Sequence, residues 1–469
     1  MIDHIEVSAV YLFSFESKTF MTTQFASVAQ TSLKAFRGSF LDFVGDPFHF
    51  AEKDCVRYIP DGLLIVENGT IQELGAYETL KHRYPNASID DYSGFLIVPG
   101  FIDVHIHFPQ TGIIGSYGEQ LLQWLNRYTF PTEQQFQDKA YASEVAAFFL
   151  DELLRNGTTT AVVLAAVFPE SVDAFFEQSN RRQMRMIAGK VMMDRNAPDF
   201  LVDTAETSYQ DSKKLIEKWH NTGRSSYAVT PRFAPTSTRE QLQFAGKLLQ
   251  EFPDVYLHTH LSENRDEIAW VKELFPECDG YLDVYDRAGL VGSRSIFAHG
   301  IYLTESEFER LSEAKSTIAY CPTSNLFLGS GLFDLETATQ SGINVGLATD
   351  VGGGTSFSML KTASEAYKIA QLRGQTLSPL QAFYLSTLGG ARSLSLDDKI
   401  GNFQIGKEAD FVVLDAQSTP ILAFRNPDTV PTTIEELSDR LFSLIILGDD
   451  RAIRATYILG ECAMARRKG

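Results

Sequence analysis

Apolar, β-branched segments alternate with longer segments of helical periodicity through the middle of the chain. Helical patterns cover residues 138–156, 205–221 and 358–373. Continuous apolar strands separated by helices predict a buried parallel sheet. Eight such segments match a closed (β/α)8 barrel, an α/β fold, better than a doubly wound sheet. The eight segments are FIDVHIH (101–107), TTTAVVLAA (158–166), MRMIAGKVMM (184–193), YAVTPRF (227–233), VYLHTHL (255–261), SIFAHGIYL (295–303), STIAYCP (316–322) and INVGLATD (343–350).

Shorter strand signals flank this region on both sides. Leu63–Val66 and Thr70–Leu74 surround Asn68-Gly69, a pair that accepts positive φ and predicts a hairpin. Near the other end, DFVVLD (410–415) and RATYIL (454–459) also have the composition of strands. Two strand-rich regions at opposite ends predict one small β-sandwich domain assembled from both ends of the chain.

These patterns divide the chain into four regions. Residues 1–30 form an arm for which no structure is predicted, and residues 31–97 begin the β domain. Residues 98–400 form the barrel, and residues 401–469 complete the β domain and include a C-terminal helix. One helix start inside the barrel is well marked, because Thr304 and Glu307 have the spacing of a capping box before a helix at 305–314.

Composition narrows the classes of partner. The chain has 41 Lys and Arg against 60 Asp and Glu, a net charge of −19, which argues against nucleic acid or an anionic membrane as partner. No apolar run approaches the roughly 18 residues that span a bilayer. The four cysteines form no CxxC pair, which argues against a disulfide framework and a thiolate zinc site. We therefore expect a folded protein of a reducing compartment, the cytoplasm.

Candidate chemistry concentrates at the ends of the predicted barrel strands. Active sites of such barrels are built at the C-terminal ends of the strands. Five of the nine histidines lie at or near those ends, and Asp350 ends the eighth segment. A lone histidine there is more often structural, but this concentration favours a site. The five histidines are His105, His107, His258, His260 and His299.

His105 and His107 form an HxH pair. Residues i and i+2 of a strand share a face, so both imidazoles can reach one metal ion. A histidine of the fifth strand and Asp350 complete a set of three nitrogens and one carboxylate, which is a catalytic zinc arrangement. His258 and His260 have the same i, i+2 spacing, and His260 is favoured because it lies nearer the barrel mouth.

Glu263 follows the fifth strand by a few residues and has two interpretations. A carboxylate at that place can take a proton from metal-bound water and deliver it to a substrate. A negative charge is also favourable at the start of a helix because of the helix dipole. Position alone leaves the two interpretations open.

Several strand-end motifs resemble those of the amidohydrolase superfamily. These are PGFIDVHIHFPQ (99–110), HTHLSEN (258–264), FAHG (297–300), CPTSN (321–325) and GLATD (346–350). Within the superfamily, further segments are similar to the guanine deaminases, and the resemblance extends over about residues 31–469. The further segments are GSYGEQLLQWLNRYTFPTE (115–133), RNGTTTA (155–161), TPRFAPTS (230–237), LGSGLF (328–333) and IGNFQIGKEADFVVLD (400–415).

The resemblance implies a site and a reaction. It implies one zinc ion per chain on His105, His107, His260 and Asp350, with His299 polarising the attacking water. It implies Glu263 as the proton shuttle and Gln110, Arg232 and Phe233, beside His260, as neighbours of a purine. The implied reaction converts guanine and water to xanthine and ammonia, usually in a homodimer. From the residues alone, a salt bridge at the rim explains Arg232 and simple packing explains Phe233 equally well.

Other members of the superfamily bind two metal ions and bridge them with a lysine at the end of strand four. Here Pro231-Arg232-Phe233 stands at that place, and Lys190 belongs to the third segment, which predicts a mononuclear site. The alternatives are a mononuclear hydrolase of a cytosine-type or triazine-type ring, or a barrel that binds ligand without catalysis. The other zinc deaminases combine an HxE string with a later PCxxC string, and the PCxxC string does not occur in the sequence.

Overall fold

Two β-sheets organise the protein. The computed structural model describes residues 33–118 and 120–466, so the predicted arm at 1–30 lies outside the described residues. The strands are β1 (Leu33–Phe43), β2 (Val56–Glu67), β3 (Thr70–Ala76), β4 (Ser88–Pro99), β5 (Phe101–His107), β6 (Thr158–Leu164), β7 (Arg185–Gly189), β8 (Val191–Met192), β9 (Ser226–Pro231), β10 (Tyr256–Leu261), β11 (Ser295–His299), β12 (Thr317–Tyr320), β13 (Asn344–Leu347), β14 (Phe411–Leu414), β15 (Ile453–Ile458) and β16 (Glu461–Ala465).

The larger sheet is the predicted parallel barrel. Its strands follow one another in the order β5-β6-β7-β9-β10-β11-β12-β13, with the short β8 beside β9, and all its pairings are parallel. Each of the eight apolar segments contains one of these strands, which confirms the predicted α/β barrel. The third segment is interrupted at Lys190, where β7 ends and β8 begins.

Hydrogen bonds close the barrel between its first strand and the segment that follows its last. The backbone N–H of Asp350 donates to the carbonyl of His105 at 3.0 Å, and the N–H of His107 donates to Val351 at 2.9 Å. The buried carboxylate of Asp103 accepts from the N–H groups of His105 (3.2 Å) and Thr349 (3.1 Å). The two metal-ligand segments predicted from the sequence are therefore joined directly.

Helices cover the barrel strands and fill the connections. The predicted helices at 138–156, 205–221, 305–314 and 358–373 agree within two residues at each end with the observed helices Lys139–Arg155, Ala205–Trp219, Glu305–Glu313 and Met359–Leu372. Thr304 and Glu307 form the predicted capping box. The helices are α1 (Glu52–Cys55), α2 (Tyr77–Leu80), α3 (Leu121–Trp124), α4 (Phe130–Glu133), α5 (Lys139–Arg155), α6 (Pro169–Arg181), α7 (Ala205–Trp219), α8 (Arg239–Glu251), α9 (Arg265–Leu274), α10 (Tyr281–Arg287), α11 (Glu305–Glu313), α12 (Pro322–Phe327), α13 (Leu335–Gln340), α14 (Met359–Leu372), α15 (Pro379–Leu385), α16 (Leu388–Ser393), α17 (Pro420–Arg425) and α18 (Ile434–Leu447).

The second sheet combines strands from both ends of the chain. Its order is β16-β15-β14-β4-β1-β2-β3, and β2 and β3 form the predicted hairpin with φ of 51° at Asn68 and 79° at Gly69. Alternate residues of β1 enter different core clusters, Ala35 on one face and Phe36 on the other. The strands expected as a sandwich thus form one continuous mixed sheet with apolar side chains packed on both faces. The helix of the C-terminal region, α18, precedes the last two strands.

Partly buried ion pairs connect the two sheets at the N-terminal ends of the barrel strands. Arg185 begins β7 and donates through Nε to Glu408 at 2.9 Å. Arg224 lies just before β9 and contacts both Glu408 and Asp410. These contacts lie at the end of the barrel opposite the histidines. Among the described residues, no helix is long and apolar enough to cross a membrane.

Candidate active site

A cavity opens at the C-terminal ends of the barrel strands. The predicted site residues border it, except that His105 lies directly beneath its floor. The opposite wall is apolar, as expected for a site that holds a small ring. The polar lining is His107, Gln110, Arg232, His260, Glu263, His299 and Asp350, and the apolar lining is Leu121, Trp124, Leu125, Phe233 and Leu328.

Four side chains converge as metal donors on the cavity floor. Donor atoms of His105, His107, His260 and Asp350 all lie within 4.8 Å of one another. Nε2 of His107 is 3.2 Å from Nε2 of His105 and 3.3 Å from Nε2 of His260. Oδ1 of Asp350 lies 3.1 Å from His105 and 3.2 Å from His107. This donor cluster has the three nitrogens and one carboxylate that the sequence predicts.

The protonation of the cluster fits a bound cation. Burial lowers the pKa of His105 to about 4 and holds that of His260 well below its usual value, so both rings are neutral near pH 7. Nδ1 of His260 donates to the carbonyl of Arg232 at 2.8 Å, which leaves the lone pair of Nε2 facing His107. Lone pairs that face one another in a buried site repel, and a cation between them removes the repulsion.

His258 and His260 are now distinguished. His260 supplies its Nε2 to the donor cluster, whereas His258 lies behind it with Nε2 2.6 Å from Nδ1 of His105. A histidine that supports a ligand in this way orients its ring and fixes its tautomer. The position nearer the barrel mouth, which the strand geometry favours, is the one that reaches the cavity.

A second set of donors overlaps the first. It shares His105 and Asp350 and adds His299 and Cys321. Burial raises the pKa of the Cys321 thiol well above its usual value, and a protonated thiol is a poor metal ligand. The neutral imidazoles of the first set are therefore the better donors.

Glu263 and His299 face each other beside the donor cluster. Oε2 of Glu263 lies 3.4 Å from Nε2 of His299, which is 3.7 Å from Oδ2 of Asp350. Burial raises the pKa of Glu263 to about 7, so its carboxyl group exchanges protons near neutral pH. Nδ1 of His299 donates to the side-chain oxygen of Asn325 at 2.9 Å, so Nε2 is the nitrogen directed into the site.

The alternative role of Glu263 as a helix-end charge is not supported by the geometry. The helix that follows is α9, and its N-cap is Asn264. Glu267 completes a capping box there, and its carboxylate accepts the backbone N–H groups of Glu263 (2.9 Å) and Asn264 (3.0 Å). Glu263 thus precedes the helix, and its side chain contacts His299 and Ser330 instead.

Arg232, Gln110 and Phe233 border the cavity away from the donor cluster. Nη1 of Arg232 contacts both carboxylate oxygens of Glu133, at 2.8 and 3.0 Å, and both side chains are buried. Hydrogen bonds of the guanidinium within residues 33–118 and 120–466 use Nη1 alone, which leaves Nε and Nη2 for a ligand. The side-chain oxygen of Gln110 accepts the N–H of Gly352 at 3.3 Å, so its amide group is oriented.

Comparison with known proteins places this site in a family. The sequence matches the model of the family described as "Amidohydrolase family" over residues 96–461. It is 56% identical to guanine deaminase of Escherichia coli (strain K12) over 439 residues, which cover 93% of this chain and 98% of that protein. The chain belongs to the amidohydrolase family.

Solved structures agree with this membership. The structure of E. coli guanine deaminase has a TM-score of 0.89 and 54% identity and covers 93% of this chain and 100% of that chain. A guanine deaminase from C. acetobutylicum, solved with guanine bound in its active site, has a TM-score of 0.84 and 31% identity and covers 92% of this chain and all of that chain. Amidohydrolases are metal-dependent, in keeping with the donor cluster.

Lys190 does not approach the metal donors of this amidohydrolase. Its ammonium group is buried in an ion pair with Asp203 and donates to the carbonyl of Val191 at 3.2 Å. The end of the fourth barrel strand holds Pro231, as the sequence indicates. The described residues therefore place no lysine at the donor cluster.

Three residues of the site were not predicted from the sequence. Glu133 pairs with Arg232, Asn325 orients His299, and the hydroxyl of Ser330 donates to Glu263 at 3.1 Å. All three lie within segments that carry the family resemblance, TFPTE, CPTSN and LGSGLF, but no pattern assigned them a partner. The motifs therefore contain these three residues, but the sequence does not show which side chain each of them contacts.

Proposed function

We propose that this amidohydrolase hydrolyses guanine to xanthine and ammonia with one zinc ion per chain. The observation that supports this most strongly is the meeting of three groups in one cavity. The donor cluster lies beside Glu263 and His299, and Arg232 with Gln110 borders the same space. The identity to E. coli guanine deaminase over nearly the whole chain points to the same substrate.

Zinc is the ion that this donor set favours. His105, His107, His260 and Asp350 would hold it, since three imidazoles and a carboxylate match the preferences of a catalytic zinc site with a position open to water. When bound, the ion lowers the pKa of a water molecule to about 7 and so makes a nucleophile available at neutral pH. Among the described residues, the two donor sets share His105 and Asp350 and include no lysine, which supports one ion per chain.

Glu263 carries the proton in the proposed mechanism. Its carboxylate takes a proton from the attacking water, while His299 and Asp350 keep that water in line with C2 of the purine. Glu263 then gives the proton to ring N3, which produces a tetrahedral carbon that carries a hydroxyl group and the amine. Glu263 next takes the proton of that hydroxyl group and passes it to the amine, so that C2=O forms as the C2–N bond breaks and ammonia leaves. A group whose pKa lies near the working pH can both accept and return a proton.

Arg232 and Gln110 recognise the edge of the purine through hydrogen bonds. The free nitrogens of Arg232 donate to O6 of guanine, and Gln110 presents both donor and acceptor atoms. Phe233 packs among Leu121, Trp124 and Leu328 and forms part of the apolar wall for the ring. Adenine offers an amine where guanine offers O6, so its donor would face the donors of Arg232. A site with buried groups left unpaired can reject such a substrate by roughly 10,000-fold.

Two further features do not follow from the geometry of the site. A homodimer and a cytoplasmic location are expected for a guanine deaminase. Light scattering of the purified protein distinguishes a monomer from a dimer.

The test of this function is a nucleobase panel. Zinc-loaded protein is incubated with guanine, adenine and cytosine, and ammonia release and product spectra are followed. We expect xanthine and ammonia from guanine and no detectable product from the other two bases. Comparable turnover of cytosine or adenine would contradict the assigned substrate, and no turnover of any base by protein with a full complement of zinc would favour a binding barrel.

A further inference from the structure

Two tyrosines of one short helix lie directly behind the active site. Tyr281 and Tyr285 are one turn apart in α10, both are buried, and their ring centroids are 5.6 Å apart. Residues four apart lie on the same face of a helix, so both hydroxyl groups are directed toward the barrel. Neither ring lines the cavity, so neither can touch a substrate there.

Tyr285 holds the segments that carry His260 and Arg232. Its hydroxyl donates to the carbonyl of His260 at 2.8 Å and accepts the N–H of Ala234 at 2.9 Å. The same hydroxyl lies 3.2 Å from the hydroxyl of Thr259. One phenol oxygen therefore joins the end of β10 to the residues that follow β9.

Tyr281 holds Glu263 through an intermediate carboxylate. Its hydroxyl donates to Oε1 of Glu267 at 2.7 Å, and Oε2 of Glu267 accepts the backbone N–H groups of Glu263 and Asn264. All these groups are buried. A buried hydrogen-bonded chain of this kind is rigid, because loss of any member leaves its neighbours unsatisfied.

The segment between the two attachment points is only four residues long. It runs from His260 to Glu263 and includes Ser262 in the left-handed region, with φ of 50°. A non-glycine residue keeps that conformation only where its surroundings enforce it. The two tyrosines fix both ends of the segment from one helical turn.

We propose that Tyr281 and Tyr285 are positioning residues that set the separation of Glu263 from the donor cluster and the purine-binding residues. The proposal rests on the function proposed above. Tyr281 acts through Glu267 on the proton-transfer step alone. Tyr285 acts on both the end of β10 and the Arg232 segment, so it influences substrate binding as well.

The test compares three tyrosine-to-phenylalanine variants of the zinc-loaded enzyme. Tyr281→Phe should lower kcat for guanine about tenfold with KM unchanged. This effect is smaller than the loss on the order of 100-fold that follows when a reacting group moves by about 1 Å. Tyr285→Phe should lower kcat and raise KM. Tyr256→Phe is the matched control, because its buried hydroxyl donates to Leu394 at 2.8 Å from the far end of β10, and its kcat and KM should be unchanged.

Variants of Glu267 test whether Tyr281 acts through that carboxylate. Glu267→Gln keeps an acceptor for the two amide N–H groups and should retain most of kcat. Glu267→Ala should lose at least as much as Tyr281→Phe. The double variant with Tyr281→Phe and Glu267→Ala should have the same kcat as Glu267→Ala alone, because Tyr281 has no carboxylate to bind in either variant.

Hydrogen exchange provides a readout that does not require turnover. The amides of Glu263 and Asn264 should exchange faster in Tyr281→Phe than in the wild type and the Tyr256→Phe control. Failure of the wild type to deaminate guanine would reject the proposed function and leave this exchange test standing. Unchanged exchange at these amides, or a kcat for Tyr281→Phe equal to that of the control, would overturn the positioning role.

Discussion

Two arginines with little solvent exposure lie at opposite ends of the same barrel strand and differ in the partners of their guanidinium groups. Arg224 precedes β9 and contacts two carboxylates, Glu408 and Asp410, of the segment that leads into the smaller sheet. Arg232 follows β9 and contacts one carboxylate through one nitrogen. Arg232 borders the cavity of the candidate active site, whereas Arg224 does not.

The difference distinguishes a structural ion pair from a binding group. At the Arg224 end, Arg185 adds a second positive charge, so two guanidinium groups face two carboxylates and both Nη atoms of Arg224 are occupied. At the Arg232 end, Glu133 balances the charge but leaves hydrogen-bonding capacity directed into the cavity. A neutral pocket with unused donors suits an uncharged base that carries an acceptor.

The largest effect that the comparison predicts concerns the donor cluster at the Arg232 end. His107→Ala should lose the bound zinc and reduce guanine turnover by on the order of 1,000-fold or more, because the nucleophile is no longer activated. Zinc content by elemental analysis and turnover are measured together. His220→Ala, at the Arg224 end, where Nε2 contacts Asp254 at 3.0 Å, should keep both. Full zinc content in His107→Ala would remove that residue from the ligand set.

The second largest loss of turnover is expected for Glu263→Gln. The amide keeps the shape of the side chain but cannot carry the proton, so turnover should fall at least about 100-fold with zinc content unchanged. Thermal unfolding should change little, since the helix cap is formed by Asn264 and Glu267. Near-normal turnover at full zinc content would place the proton shuttle elsewhere.

The two arginines can then be compared directly. Arg232→Ala should lower kcat/KM for guanine by about 2 to 4 kcal/mol, since a charge-assisted hydrogen bond to O6 is lost. Arg224→Ala should leave kcat/KM unchanged and lower the free energy of unfolding by about 3 to 5 kcal/mol, because it leaves the buried carboxylate of Asp410 without its arginine partner. Denaturant unfolding and steady-state kinetics on both variants check this. A loss of kcat/KM in Arg224→Ala as large as in Arg232→Ala would contradict the assignment of Arg224 to the fold and Arg232 to substrate binding.

Arg232→Ala also leaves Glu133 buried without its partner. Adding Glu133→Gln should therefore recover stability while kcat/KM for guanine stays low. Recovery of kcat/KM in the double variant would indicate that Arg232 serves the fold and not the substrate.

The smallest expected effect is a shift in pH dependence. The hydroxyl of Ser330 stabilises the ionised form of Glu263, so Ser330→Ala should raise the pKa of that carboxyl group. The rate needs the carboxylate, so the acid limb of the kcat/KM profile should move to higher pH. Ser393→Ala is a control, because Ser393 is buried on α16 away from the cavity. An unchanged limb or a shift to lower pH would contradict this role of Ser330.

The barrel and the donor cluster were predictable because their signals are local. Eight apolar segments give the strands, and the HxH spacing puts His105 and His107 on one face. In the smaller sheet, β4 begins with mostly exposed residues, Ser88–Gly94, that show no apolar alternation. This part of β4 pairs with β1 through backbone contacts, which the hydrophobic pattern of the sequence does not predict.

The missing site residues depend on contacts between distant parts of the chain. Glu133 meets Arg232 across 99 positions, and Asn325 meets His299 across 26. A single sequence gives the residue types but not these distances. Spacing put His258 and His260 on one face, and position along the strand favoured His260. The contact of His258 with His105 could be seen only in the structure.

The central claim is hydrolytic deamination of guanine in this cavity. The most direct test is conversion of guanine by zinc-loaded protein in water enriched in heavy oxygen, with mass analysis of the product. We predict xanthine that carries one heavy oxygen atom at C2 and one ammonia for each xanthine formed, with both formed at least about 100-fold more slowly by Glu263→Gln at equal zinc content. Xanthine without the label, or equal labelled product from the Glu263→Gln variant, would contradict it.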